Sequence, residues 1–97
     1  MGLDARIVRV RNKYSNLPIE ELYERGTYVN EFRNIWHFPK ICQMTKEEID
    51  NGLFYRIVNT LSVHDMEMND GLESERLLNT YNNMDFEKFI YVIKVDW

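Results

Sequence analysis

One stretch, residues 45–61, constrains the fold more than any other part of this chain. Its apolar side chains recur every four residues: Ile49, Leu53, Ile57 and Leu61. This spacing is typical of the apolar face of an α-helix. Thr45 and Glu48 have the spacing of a capping box, which marks the start of a helix. The pattern therefore predicts an amphipathic helix whose apolar face the rest of the chain must cover.

A turn signal inside this stretch leaves a second interpretation open. Asp50, Asn51 and Gly52 follow one another in the sequence, and such residues favour turns. A glycine in the interior of a helix also costs about 1 kcal/mol relative to alanine. The alternative is therefore a helix that ends near Gly52, followed by a strand that begins at Phe54.

Length and cysteine content indicate one domain, residues 1–97, in the cytoplasm. A chain of 97 residues can bury a modest core without disulfides or metals. Cys42 is the single cysteine, so no internal disulfide can form, which is typical of cytosolic proteins. Asp4 and Arg6 interrupt the first apolar residues, so we expect no signal peptide. No apolar run approaches the length of a membrane span.

The two ends of the chain read as strands. Apolar side chains alternate through Leu3–Arg11 and through Phe86–Trp97, and both faces of each segment carry apolar residues. Two strands of this kind at opposite ends of a domain are expected to pair, and antiparallel pairing is our prediction. The predicted fold class is α+β, with a small sheet that contains both terminal strands and three to four helices packed on it.

Three further segments are predicted to be helices. Pro18 suits the first position of a helix, which would continue to Arg25 and stop at Gly26. The segment Thr27–His37 has an apolar face at helical spacing and ends before Pro39. The sequence leaves open whether Gly26 separates this helix from the preceding one or only kinks a single helix. The segment Leu72–Tyr81 has a similar face and ends at two asparagines. The intervening Ser62–Gly71 is expected to be irregular.

Charge is unevenly distributed along the chain, whose formal net charge is −4. From Ile57 to Glu75 the sequence contains no Lys or Arg but five acidic residues: Asp65, Glu67, Asp70, Glu73 and Glu75. Such a field disfavours direct binding of nucleic acid and suits a basic protein surface. The alternative is a solvated acidic loop that has no partner.

Two short motifs mark the ends of the sequence: Met-Gly-Leu-Asp at Met1–Asp4, and Met84–Phe89, which leads into an aromatic strand that ends on Trp97. In these motifs the sequence resembles a family of small proteins found mainly in bacteriophages and prophages, whose members typically open and close in this way. The family also has an Asn and a His three residues apart, which Asn34 and His37 match. Its Tyr-Trp-Arg-Lys segment is replaced here by Tyr-Val-Asn-Glu. The resemblance implies phage origin and this order of elements, and it carries no assigned activity.

Two clusters could carry chemistry, and each has a simpler interpretation. Asn34 and His37, with Asp4 near them, could form a general-base site; the simpler interpretation is a polar helix face. His64, Asp65 and Glu67 could bind a divalent metal, but structural zinc needs four convergent Cys or His ligands and the chain has three such residues. We predict no metal and no cofactor. A thiol nucleophile at Cys42 is not favoured, because nothing in the sequence activates the thiol.

Small size, the absence of a catalytic motif and the acidic, aromatic-rich composition favour a non-enzymatic function. We expect a small phage protein that binds a host protein with a basic surface and inhibits or modifies it, for example an anti-CRISPR-like inhibitor in the host cytoplasm. The predicted partner-binding residues are Trp36, Asp65, Glu67, Asp70, Glu73 and Trp97. The alternative is a small-molecule or nucleotide-binding protein, or a small enzyme, that uses Asp4, Asn34 and His37. The sequence leaves the oligomeric state open.

Overall fold

The structure, a computed structural model, describes residues 4–33, 38–58, 61–68 and 71–96. Within these ranges it contains four strands: β1 (Asp4–Arg11), β2 (Thr27–Arg33), β3 (Leu53–Ile57) and β4 (Phe89–Asp96). The α-helices are α1 (Ile19–Arg25), α2 (Phe38–Ile41), α3 (Lys46–Asp50), α4 (Val63–Met68) and α5 (Leu72–Asn82). A 3₁₀ turn, Asn12–Tyr14, follows β1.

The strands form one antiparallel sheet in the order β2-β1-β4-β3. The two strands from the chain ends pair along their whole length, from Asp4 opposite Asp96 to Arg11 opposite Phe89. They occupy the centre of the sheet because both have apolar residues on both faces, and a central strand can bury both. The predicted α+β class and the predicted pairing of the terminal strands are therefore confirmed.

The two faces of the sheet carry separate apolar cores. On the first face, which we call the helical face, Ile7 and Ile93 are fully buried and belong to the larger core, together with residues of α2, α4 and α5 such as Met66 and Leu77. On the second face, which we call the α1 face, the core is smaller and includes Val8, Val10, Val92 and, from α1, Leu22. The two terminal strands, β1 and β4, are thus packed on both faces.

The predicted long helix over residues 45–61 is wrong beyond Asp50. Its start is correct, because Thr45 Oγ1 accepts the Glu48 N–H at 3.2 Å and Glu48 Oε1 accepts the Thr45 N–H at 3.0 Å. The chain then turns at Gly52, whose φ of 74° lies in the left-handed region that favours glycine. Beyond the turn it continues as β3, so the alternative interpretation is the correct one.

The predicted helix Thr27–His37 is also wrong over its described part, since residues 27–33 form β2 and residues 34–37 lie outside the described residues. Tyr28 and Phe32 would share one face of a helix, whereas in the strand Tyr28 is 55% exposed and Phe32 is 1% exposed. The aromatic and β-branched side chains of this segment suit a strand. Pairing with β1 supplies the partner for its backbone, with a bulge that leaves Val29 as an extra residue between Tyr28 and Asn30.

Of the other helices, α1 and α5 were predicted, whereas α2 and α4 were not. The helix α1 follows Pro18 and ends before Gly26, and α5 matches the predicted Leu72–Tyr81 closely. The segment Ser62–Gly71, expected to be irregular, contains α4 instead. Ser62 Oγ accepts the Asp65 N–H at 3.2 Å, as an N-cap serine does. The burial of Met66, which is 1% exposed, stabilises the helix against the core.

We expect Gly26→Ala to lower the free energy of unfolding by about 1–3 kcal/mol, the usual cost of overpacking a core. The φ of Gly26 is −73°, so backbone strain is not the reason. An added Cβ would lie 2.6 Å from the Cβ of Val8, on the buried α1 face. Urea denaturation of the purified variant measures the effect. In a Val8→Gly background, which removes both the Cβ and the Cγ2 that the added Cβ would meet, the same change should cost less, and an equal cost in both backgrounds would contradict the packing argument.

Candidate functional site

The structure describes three of the six residues that were predicted to bind a partner. Asp65 and Glu67 lie on α4, and Glu73 lies in the first turn of α5. Glu67 is exposed, whereas Asp65 and Glu73 are partly buried. Trp36, Asp70 and Trp97 lie outside the described residues, so their predicted role stays a prediction.

Two large apolar side chains of the acidic segment lie on the surface. Met68, at the end of α4, is 69% exposed, and Leu72, at the start of α5, is 80% exposed. They are the most exposed large apolar side chains of the described residues. The exposed acidic residue Glu67 precedes Met68, and the exposed acidic residue Glu75 follows Leu72 by three residues, one turn further along α5. We call these four residues the α4–α5 corner.

The packing of α4 and α5 leaves these two apolar side chains outside the core. The helices α4 and α5 contact each other. Each also buries an apolar side chain in the larger core, Met66 from α4 and Leu77 from α5. The residue Leu72 does not belong to the stripe of Leu77, Leu78 and Tyr81. This mismatch was the signal in the sequence that could have identified Leu72 as a surface residue, and the sequence-based prediction missed it.

The side chain of Glu73 is held within the fold. Its carboxylate pairs with Arg76 of the same helix and accepts the backbone N–H of Arg33 at 3.1 Å. The hydrogen bond from Arg76, and then that from Arg33, hold the pKa of the Glu73 carboxyl below its ordinary value. Of the predicted acidic residues that the structure describes, Glu73 therefore serves as an internal contact, and Glu67 remains on the surface.

A second polar region lies at the end of the α1 face that carries the last residues of β4. A groove of about 200 Å³ is lined by charged side chains of three strands and by Tyr23: Asp4, Arg6, Glu31, Arg33, Lys94 and Asp96. Glu31 accepts a hydrogen bond from Arg6 Nη2 at 3.3 Å, which raises the pKa of the Arg6 guanidinium. Exposed ion pairs of this kind contribute little to stability.

This groove includes one residue of the predicted alternative ligand site. Asp4 lies opposite Arg33 of β2 and opposite Asp96 of β4 in the sheet register. Asn34 and His37 lie outside the described residues, so a site formed by Asp4, Asn34 and His37 stays a prediction. The described part of the groove presents both signs of charge on exposed side chains.

Other candidate chemistry is weak in the described residues. Cys42 is 1% exposed, and burial raises the pKa of its thiol to about 12. At neutral pH the thiol is therefore protonated, whereas a nucleophile must be a thiolate. The described ranges contain no group of three or more His, Cys, Asp or Glu side chains placed to hold a metal ion. Within the same ranges, no helix has the length and apolar character needed to cross a membrane.

The fold and surface define a small α+β protein with an acidic, partly apolar corner and a groove of mixed charge. Comparison with protein-family models, with curated proteins and with solved structures finds no significant match to this chain. The resemblance to phage proteins therefore stays a prediction from the sequence.

Proposed function

We propose that this protein acts by binding a protein partner with a basic surface, and that the α4–α5 corner is its contact. The observation that carries the proposal is the exposure of Leu72 (80%) and Met68 (69%). Both lie in a segment that has no Lys or Arg between Ile57 and Glu75. Exposed apolar residues with a charged surround are typical of protein interaction sites.

The apolar side chains would supply affinity. Burial of apolar surface stabilises a complex by about 25 cal/mol per Å², before the entropic cost of association is subtracted. Leu72 and Met68 are four residues apart in the sequence, and the flexible methionine side chain adapts to the shape of a partner. A contact centred on these two residues would remove both side chains from water.

The acidic side chains would supply rate and selectivity. Carboxylates around an apolar contact attract a basic surface over distances of about 10 Å at moderate ionic strength. This attraction accelerates the encounter more than it stabilises the complex. Glu67 and Glu75 are exposed, so their charges are available for such steering.

The finer form of the proposal follows from the sequence. The resemblance to phage proteins favours a bacterial host protein as the partner, and the acidic corner favours one whose surface is built to bind nucleic acid. Occupation of that surface would inhibit the partner, as an anti-CRISPR-like protein would. Affinity capture from a bacterial lysate with the tagged protein identifies the partner.

The test of the corner is a comparison of variants against the captured partner. We expect Leu72→Ser with Met68→Ser to weaken binding at least tenfold, because both apolar contacts are lost. We expect Glu67→Gln with Glu75→Gln to slow association, more at low salt than at high salt, and to change dissociation little. Association and dissociation rates at several salt concentrations measure both effects.

A matched control lies on the opposite side of the sheet. Glu20 and Glu24 are exposed residues of α1, and Glu20→Gln with Glu24→Gln removes the same charge there. This pair should leave the association rate closer to that of the wild type than the corner pair does. If the two pairs act equally, the charge effect is not local, and if the serine variant binds normally, the corner is not the contact. Each result contradicts the proposal.

The small-molecule alternative has less support. Its three residues were Asp4, Asn34 and His37, and the structure describes only Asp4 among them. The described part of the groove has a volume of about 200 Å³, below the range of about 300–1,000 Å³ that is usual for small-molecule sites. We therefore keep protein binding as the proposed function.

A further inference from the structure

The strand β2 lies at one edge of the sheet. Its outer side is expected to present backbone N–H and C=O groups that none of the described strands pairs. In an antiparallel ladder alternate residues direct these groups outward. An exposed row of such groups can pair with a strand of another molecule.

Side chains form hydrogen bonds with these outward backbone groups at Glu31 and Arg33. Asn30 Oδ1 accepts the Glu31 N–H at 2.9 Å, and Arg76 Nη2 donates to the carbonyl oxygen of Glu31 at 3.4 Å. The Glu73 carboxylate accepts the Arg33 N–H at 3.1 Å. We call Asn30, Glu73 and Arg76 the edge clamp.

The members of the edge clamp hold one another in place. Arg76 Nη2 donates to Asn30 Oδ1 at 3.0 Å, and Arg76 also pairs with Glu73. Asn30 Nδ2 donates a hydrogen bond to Thr80 Oγ1 at 3.2 Å, and this bond links β2 to the next turn of α5. The guanidinium of Arg76 lies 5.2 Å from the centre of the Phe32 ring. These contacts position the polar atoms along the edge.

Space remains beside the edge. A groove of about 460 Å³ runs there, lined by Tyr28, Glu31, Arg33, Glu73 and Arg76. Two of these residues, Glu73 and Arg76, belong to the edge clamp. The groove is open to solvent, but side chains already hydrogen-bond to the backbone groups of β2 that line it. Removal of the Glu73 and Arg76 side chains would leave the Arg33 N–H and the Glu31 carbonyl oxygen accessible, while Asn30 Oδ1 would still accept the Glu31 N–H.

The charges of β2 suit a second copy of the same strand. When two copies of β2 run antiparallel with their outward groups matched, one register places Glu31 of each copy opposite Arg33 of the other. Opposite charges directly across an antiparallel pair stabilise it. We propose that the edge clamp prevents β2 from pairing with β2 of a second copy in this register.

The first test is self-association of Glu73→Ala with Arg76→Ala, measured by sedimentation over a range of concentrations. We expect the double variant to associate at least tenfold more tightly than the wild type. Adding Glu31→Lys should remove the gain, because Lys would face Arg33 of the second copy. Adding Arg33→Glu to that triple variant should restore it. An absence of gain, or a gain that ignores these charges, overturns the proposal.

The second test does not require the double variant to fold. Amide hydrogen exchange in dilute Glu73→Ala reports the clamp directly. The Arg33 amide should exchange at least tenfold faster than in the wild type, while the Glu31 amide, held by Asn30, changes little. The control is Glu75→Ala, which removes an exposed carboxylate of the same helix. Unchanged exchange at Arg33, or equal effects of the two variants, overturns the proposal.

Discussion

Replacement of Phe32 by alanine is expected to lower the free energy of unfolding by about 3–5 kcal/mol, the usual range for a buried phenylalanine. The side chain is 1% exposed and belongs to the core on the helical face of the sheet. A small domain has a total stability of about 5–15 kcal/mol, so this change removes a large part of it. Chemical denaturation of the purified variant measures the loss.

Tyr28 provides the matched control, because it is an aromatic residue of the same strand that is 55% exposed. Tyr28→Ala removes the contact with Arg6, whose guanidinium lies 6.0 Å from the ring centre, and we expect a loss below about 1 kcal/mol. Similar losses for the two variants would indicate that both side chains share one buried face. That result would contradict the bulge at Val29, which places Tyr28 and Phe32 on opposite faces of β2.

Deletion of residues 93–97 is expected to abolish cooperative folding. The deletion removes Ile93 and Val95, both fully buried, from a central strand. It also removes the ladder partners of β1 from Asp4 to Ile7 and of β3 from Leu53 to Arg56. Backbone groups on both sides of the missing segment would lose their hydrogen bonds. Thermal unfolding followed by circular dichroism measures the effect.

The control for this deletion keeps the strand and changes two polar side chains on its α1 face. Lys94 is partly buried and Asp96 is exposed, and Lys94→Ala with Asp96→Ala leaves the backbone and the core unchanged. This full-length variant should melt cooperatively near the wild-type temperature. A deleted chain that melts in the same way would contradict the central position of β4.

Local signals were sufficient for the two terminal strands and for the start of α3. The terminal strands have apolar residues on both faces, and few structures other than a central strand can bury both. The capping box at Thr45 and Glu48 needs only contacts within four residues, so it can be predicted without the rest of the fold. The end of α1 at Gly26 depends on contacts of the same short range.

Local signals failed where one apolar spacing suits both a helix and a strand. Tyr28 and Phe32 are four residues apart, which fits one helix face, and positions four apart also lie on one face of a regular strand. The bulge at Val29 then moves Tyr28 to the other face. Over residues 53–57 the period of four was equally ambiguous, and the turn at Gly52 decided for a strand.

The acidic character of the candidate site could be predicted from the sequence. Which acidic side chains are exposed and which are bound within the fold could not. The sequence identified Glu67 and Glu73 together, yet only contacts across the fold separate them. Glu73 reaches the backbone of Arg33, forty residues away in the sequence, whereas Glu67 is exposed. The exposure of Leu72 likewise depends on how α5 packs beside α4.

The sequence by itself indicated the α+β class, the extended conformation of the two terminal segments and the absence of Lys and Arg between Ile57 and Glu75. Each depends on composition or on a short-range pattern that other parts of the chain cannot change. The tertiary structure decided that residues 27–33 and 53–57 are strands, that Leu72 is on the surface and that Glu73 is held at the edge of β2. Each of these depends on a partner distant in the chain, because pairing with a strand or packing against a helix outweighs a local preference of a few tenths of a kcal/mol per residue.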